Sequence, residues 1–146
     1  WKIGYAVGPK ALMKEFRNVH QWNVFSVNSF IQYALAEYLK NPESYEYLSS
    51  FFQTKRDLLL EELKDLHLEA TPAQGTYFQV FDYSQISSLS DFEFAKYLTK
   101  DIGVAAIPLS PFYSEEIKEK SIRLCFAKKD TTLLKAAENL RKLTKL

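Results

Sequence analysis

Residues 121–127, SIRLCFA, alternate so that Ile122, Leu124 and Phe126 share one face of a strand and Ser121, Arg123, Cys125 and Ala127 share the other. A strand with one apolar face cannot stand alone. It needs neighbouring strands to complete its hydrogen bonds and a second layer to cover that face. Just beyond it the period changes. From Asp130, the expected cap, Leu133, Leu134, Ala137, Leu140 and Leu143 recur on one face of a predicted helix.

The rest of the chain mixes the same two periods. Residues 2–7 alternate loosely and close on Gly8-Pro9, which predicts a strand ending in a turn. Pro9 can open a helix that places Ala11, Leu12, Phe16 and Val19 on one face and runs to about His20. The segment SFIQYALAEYLKN is helical. Its Phe30, Tyr33, Ala34, Ala36 and Leu39 wrap more than one face, the pattern of a helix covered on several sides, between domains or between subunits. Asn41-Pro42 interrupts it.

From residue 43 to residue 66, Tyr47, Leu48, Phe51, Phe52, Leu58, Leu59, Leu63 and Leu66 predict one long amphipathic helix. Residues 66–70 read as a short strand, and the turn at 72–75 leads into TYFQVFDYS, where Tyr77, Gln79 and Phe81 oppose Phe78, Val80 and Asp82. These two segments are expected to pair. Ser90 or Asp91 caps a further helix with Phe94, Ala95, Leu98 and Ile102 inside, ended by Gly103. GVAAIPLSPF holds a very short strand and a loop stiffened by Pro108 and Pro111.

Residues 41–146 therefore read as an α+β two-layer domain. Residues 1–40 have too few strands for a core of their own and are expected to be the trailing edge of a larger domain. The chain opens on Trp1 and runs straight into an apolar segment, so it is expected to be a piece of something longer.

Composition removes several classes of function. With 19 basic and 18 acidic side chains, no net field draws the chain to nucleic acid or to an anionic membrane, and neither is expected as a partner. No apolar run approaches the roughly 18 to 20 residues of a membrane span. The single Cys125 excludes an internal disulfide, suits a small buried packing residue and points to a reducing compartment, the cytoplasm. His20, His67 and Cys125 lack the spacing of a metal site, so no metal is expected. The chain has neither a G-x-S-x-G elbow nor a glycine-rich phosphate loop of the G-x-G-x-x-G or Walker type.

Arg123 is the sharpest remaining feature. By the strand pattern alone a solvated or salt-bridged arginine is the commoner reading; the functional alternative is a carboxylate clamp, because guanidinium offers two parallel N–H donors that bind and orient a carboxylate. Lys2 poses a similar choice between a solvated lysine and an anion site. The aromatic segment NVFSVN could be core, interface or pocket lining.

Read in order, WKIGYAVGP, FRNVHQWNVFSVNSFIQYALAEYL, QGTYFQVFDYS, GVAAIPLSPF and IRLCFAKKDTTLLKAAENLRKL resemble the C-terminal part of the class I, fold type I, pyridoxal-phosphate-dependent aminotransferases. The resemblance is to the methionine and kynurenine aminotransferase branch and runs the whole chain. It implies that residues 1–40 are the end of a large cofactor domain and an interdomain helix, and that residues 41–146 are the small C-terminal domain. In the family the lysine that carries the cofactor lies shortly before the G-W-K-I-G-Y segment, so no catalytic residue is expected in this chain, which is expected to be inactive by itself.

Carried over residue by residue, the resemblance sets Lys2 against the cofactor phosphate and Arg123 on the substrate α-carboxylate. Phe25 matches an aromatic that reaches the neighbouring subunit's site. Phe25, Tyr77 and Phe112 are expected to line an apolar side-chain pocket. The implied parent is a homodimer that moves an amino group from methionine or an aromatic amino acid to a 2-oxo acid. A C–S β-lyase on the same scaffold and a non-catalytic binding or dimerisation module are the competing readings.

Overall fold

The computed structural model describes residues 2–115 and 119–143. The chain divides into two compact units, one ending at Tyr47 and the other beginning at Leu48.

In the first unit, residues 2–9 are coil, so the strand predicted over 2–7 does not form. A strand exists only where a neighbour completes its ladder, and no described residue pairs with this segment. Helix α1 spans Lys10–Asn23, with Pro9 at the N-cap position, one residue earlier than expected. The Pro9 carbonyl accepts the first helical bond, from Met13 N–H at 2.9 Å. Helix α2 spans Ser29–Tyr38, and the Asn28 side chain caps it by accepting from Ile31 N–H. Neither helix has a buried residue.

The single long helix expected over 43–66 is replaced by a 3-10 turn, Pro42–Ser44, and a separate helix α3, Leu48–Leu63. The Asn41 side chain is the local cause: it accepts from Glu43 N–H at 3.2 Å and offers the backbone a tight turn in place of a continuous helix. The Tyr38 hydroxyl then donates to the Ser44 carbonyl at 2.6 Å.

The second unit is built on an antiparallel sheet of β1 (Phe78–Asp82), β2 (Ile107–Pro108) and β3 (Ser121–Cys125), with β3 in the centre. Val80 on β1 and Ile107 on β2 lie opposite Arg123, and Phe78 lies opposite Cys125. The strand predicted over 66–70 is reduced to one bridge, Glu69 to Asp82. His67 has a φ of 53°, and an extended strand cannot run through a left-handed residue. β1 pairs with β3 instead.

Helix α4 (Asp91–Tyr97) begins at Ser90, whose hydroxyl accepts from Glu93 N–H, and passes into a π-helical turn at Leu98–Ile102. Gly103, at φ 78°, ends it as the sequence predicts. Helix α5 spans Asp130–Leu140. Here Lys129 holds the cap position, and the Asp130 carboxylate pairs with Lys55 at 2.6 Å instead of capping. Leu133, Ala137 and Leu140 are buried as expected, but Leu134 is exposed.

One core joins the inward face of the sheet to these helices. Ile122, Leu124 and Phe126 meet Phe81, Tyr83, Leu59, Leu63, Phe94 and Leu98 there. Fully burying each Leu, Ile or Phe stabilises by about 1.5–3 kcal/mol. The Tyr83 ring stacks on Phe94 with centroids 4.0 Å apart, and its hydroxyl donates to the Leu89 carbonyl. No helix among the described residues is long and apolar enough to cross a membrane.

Candidate functional site

The alternation of β3 sends Ile122 and Leu124 into the core and leaves Arg123 on the opposite face of the sheet. On that face its cross-strand neighbours are the apolar Val80 and Ile107. The guanidinium carbon lies 4.2 Å from the centre of the Phe78 ring and 5.3 Å from that of Phe112. Both rings present π-electron density to the charge. No acid among the described residues pairs with Arg123.

The Arg123 Nε–H is buried and has no hydrogen-bond partner. A buried donor left unpaired costs about 1–3 kcal/mol. A guanidinium set against two aromatic rings, with a donor still to be satisfied and no counter-ion among the described residues, has the chemistry to take an anion. A carboxylate matches its parallel N–H groups.

Phe112 reaches this place on a 3-10 turn, Ser110–Phe112. Asp91, the first residue of α4 and buried, holds the start of that turn: its carboxylate accepts from Ser110 N–H at 2.6 Å and from the Ser110 hydroxyl at 2.9 Å. It also accepts from Phe92 N–H at 2.8 Å. Burial alone would raise the Asp91 pKa. The bonds from Ser110, Phe92 and Leu109 outweigh it and hold the carboxyl below its ordinary value.

The predicted residues distribute unevenly. Arg123 and Phe112 come together. Tyr77 stands one ring away, its centroid 4.6 Å from that of Phe78 and 6.0 Å from that of Phe52. Lys2 and Phe25 belong to the first unit. Lys2 is exposed, and no described residue pairs with it. Phe25 is 91% exposed and adopts a φ of 63°, unusual for a bulky side chain. Cys125 is only half-buried, not the buried packing residue its strand position suggested.

Sequence reasoning missed Phe78 and Asp91. Phe78 alternates on the correct face of β1, but only the register of β1 against β3 sets it diagonal to Arg123. Asp91 reads as an ordinary helix start, and its Ser110 partner sits nineteen residues further on.

Comparison with known proteins identifies the family of the chain. The family model described as aminotransferase class I and II matches residues 1–140. The methionine aminotransferase of Escherichia coli is 51% identical over 144 residues, covering 98% of this chain and 37% of the relative. The kynurenine–oxoglutarate transaminase of Dictyostelium discoideum is 37% identical, covering 99% of this chain and 38% of that protein. The crystal structure of YbdL from Escherichia coli, reported with a methionine aminotransferase function, superposes with a TM-score of 0.83 at 51% identity, over 94% of this chain and 36% of that one. The chain thus spans a little over a third of the length of these relatives. By sequence and by fold, it belongs to the class I and II aminotransferases, of fold type I.

Proposed function

We propose that this chain is the C-terminal part of a pyridoxal-phosphate-dependent aminotransferase and that Arg123 holds the α-carboxylate of its amino-acid and 2-oxo-acid substrates. The observation that carries this is the buried, unpartnered Nε–H of Arg123 beside the rings of Phe78 and Phe112, with no paired acid among the described residues. Held by a planar fork beside two rings, a carboxylate loses its freedom to rotate, and the Cα–H bond is fixed in direction as well as in place. Relatives named for methionine and kynurenine, together with the aromatic side chains Tyr77, Phe78 and Phe112, support methionine or aromatic amino acids as donors.

Pyridoxal phosphate, when bound, supplies the ring that takes up electrons as the Cα proton leaves. Lys2 fits as a residue for its phosphate: it is an exposed ammonium without a partner among the described residues, and a point charge tolerates loose phosphate geometry. Residues 1–40 are assigned to the end of the large domain and residues 41–146 to the small one. A homodimer, with Phe25 directed to the neighbouring subunit's site, accounts for the exposed Trp22, Phe25, Phe30 and Tyr33 of the first unit. The cytoplasm fits a chain with one cysteine.

The decisive variant is Arg123→Lys in the full-length enzyme. Losing the fork should lower kcat/KM for methionine about 10- to 100-fold while cofactor absorbance persists. Turnover within about twofold of the parent would remove the clamp assignment. The chain alone is expected to be inactive. Borohydride trapping with pyridoxal phosphate should label its lysines diffusely, and one dominant labelled lysine would contradict this.

A further inference from the structure

We propose that Asp91 is a positioning residue for the Arg123 site, acting through the Ser110–Phe112 turn to hold the Phe112 ring over the guanidinium. This rests on the reading of Arg123 as the carboxylate site and adds to it a part of the fold that does not touch substrate.

Phe112 is 65% exposed, so burial does not fix its ring. Its own turn is a single short 3-10 turn, closed by Phe112 N–H to Leu109 O at 3.0 Å and Tyr113 N–H to Ser110 O at 3.2 Å. Pro111, inside the turn, has no N–H to donate. β2, which leads into the turn, is two residues long.

Beyond the short pairing of β2 with β3, the turn is tied to α4 by the Asp91 carboxylate, which receives both the backbone N–H and the hydroxyl of Ser110, one on each oxygen. Asp91 itself is anchored. It sits at the first position of α4, directly after the Ser90 cap, and α4 buries Phe94 and Ala95 in the core. A rigid helix thus grips a short turn two residues before the aromatic ring. Charge-assisted bonds are the stronger kind, and two from one residue fix orientation as well as distance.

Asparagine at this position would be nearly isosteric but would turn one acceptor into an NH2 donor facing Ser110. The test is a double-mutant cycle between Asp91→Asn and Phe112→Leu in the full-length enzyme, reading KM and kcat for methionine and the cofactor absorbance. Asp91→Asn alone should raise KM about tenfold, with a much smaller change in kcat and an unaltered cofactor band. In the Phe112→Leu background the same change should move KM by less than about twofold, because the ring that Asp91 positions is gone.

Equal effects in both backgrounds would overturn the proposal, since a merely structural role at Asp91 would add to the loss of Phe112. An unchanged KM in the single variant would overturn it too. Should Asp91→Asn fail to fold, Ser110→Ala runs the same cycle, removing one bond and keeping the other. Arg123→Lys separates the two readings. If it lowers kcat/KM for methionine as expected while the cycle is additive, only the role of Asp91 falls; if it leaves kcat/KM within about twofold of the parent, the carboxylate site itself falls.

Discussion

Arg123 and Phe78 meet diagonally across two adjacent strands, the guanidinium carbon 4.2 Å from the ring centre, so the charge is roofed by an aromatic and is not neutralised by an acid among the described residues. That arrangement stabilises the cation without consuming its hydrogen-bond donors. An internal carboxylate in the same place would occupy the fork and compete with any incoming anion.

Phe78→Leu therefore tests the roof. Removing a partly desolvated cation–π contact costs about 0.5–2 kcal/mol, so a monocarboxylate inhibitor should bind about 2- to 30-fold more weakly to the full-length variant. Phe78→Tyr should bind it as the parent does. Equal weakening by both substitutions, followed by inhibition titration, would show that ring shape and not the π-face matters.

Asp91 should shape acid stability. Its folded pKa lies below the unfolded value of 3.8, so its stabilisation is present above that value and is lost as pH falls through the lower folded pKa. Melting temperature should therefore drop more steeply below about pH 4 in the parent than in Asp91→Asn, which has no carboxyl to protonate there. Parallel melting curves for the two proteins from pH 5 to pH 2.5 would contradict this.

Gln79 is a buried polar residue on the core face of β1, and all its bonds are internal. Its carbonyl oxygen accepts from Ala73 N–H, and its amide donates to the carbonyls of Thr71 and Val80, each at 2.9 Å. Gln79→Ala strands those loop groups and should cost about 2–4 kcal/mol by urea unfolding. A loss below about 1 kcal/mol would mean that the loop finds other partners.

Two residues with a similar left-handed backbone should respond oppositely to substitution. Gly103, at φ 78°, has room for a methyl group, with the Asn139 amide nitrogen 3.5 Å from an added Cβ, so Gly103→Ala costs only backbone strain, about 1 kcal/mol. Thr76, at φ 64°, already bears that strain. Thr76→Gly should therefore stabilise by about 0.5 kcal/mol, the relieved strain less the entropy of a freer unfolded chain. Urea midpoints moving in the same direction for both variants would refute the account.

Much of the second unit was legible in the chain itself. The alternation of residues 121–127 identified β3 and placed Ile122, Leu124 and Phe126 inside. Ser90 and Gly103 bracketed a helical segment at both ends, because a cap hydroxyl and a left-handed glycine are local chemistry. Apolar period failed where a side-chain cap or a left-handed residue overrode it. Apolar spacing over 43–66 could not show that Asn41 would close a turn, and residues 66–70 looked like a strand until His67 turned left-handed.

By itself the amino-acid sequence determined the apolar face of β3, the Ser90 start and Gly103 stop of one helical segment, and the family to which the chain belongs, since these depend on neighbours in the chain and on the order of its segments. Only the tertiary structure decided that Phe78 and Phe112 lie against Arg123 and that Asp91 grips the turn that carries Phe112. Strand register and turn placement are set by hydrogen bonds between residues far apart in sequence, and a one-residue slip of β1 against β3 would send Phe78 to the opposite face and leave the guanidinium bare.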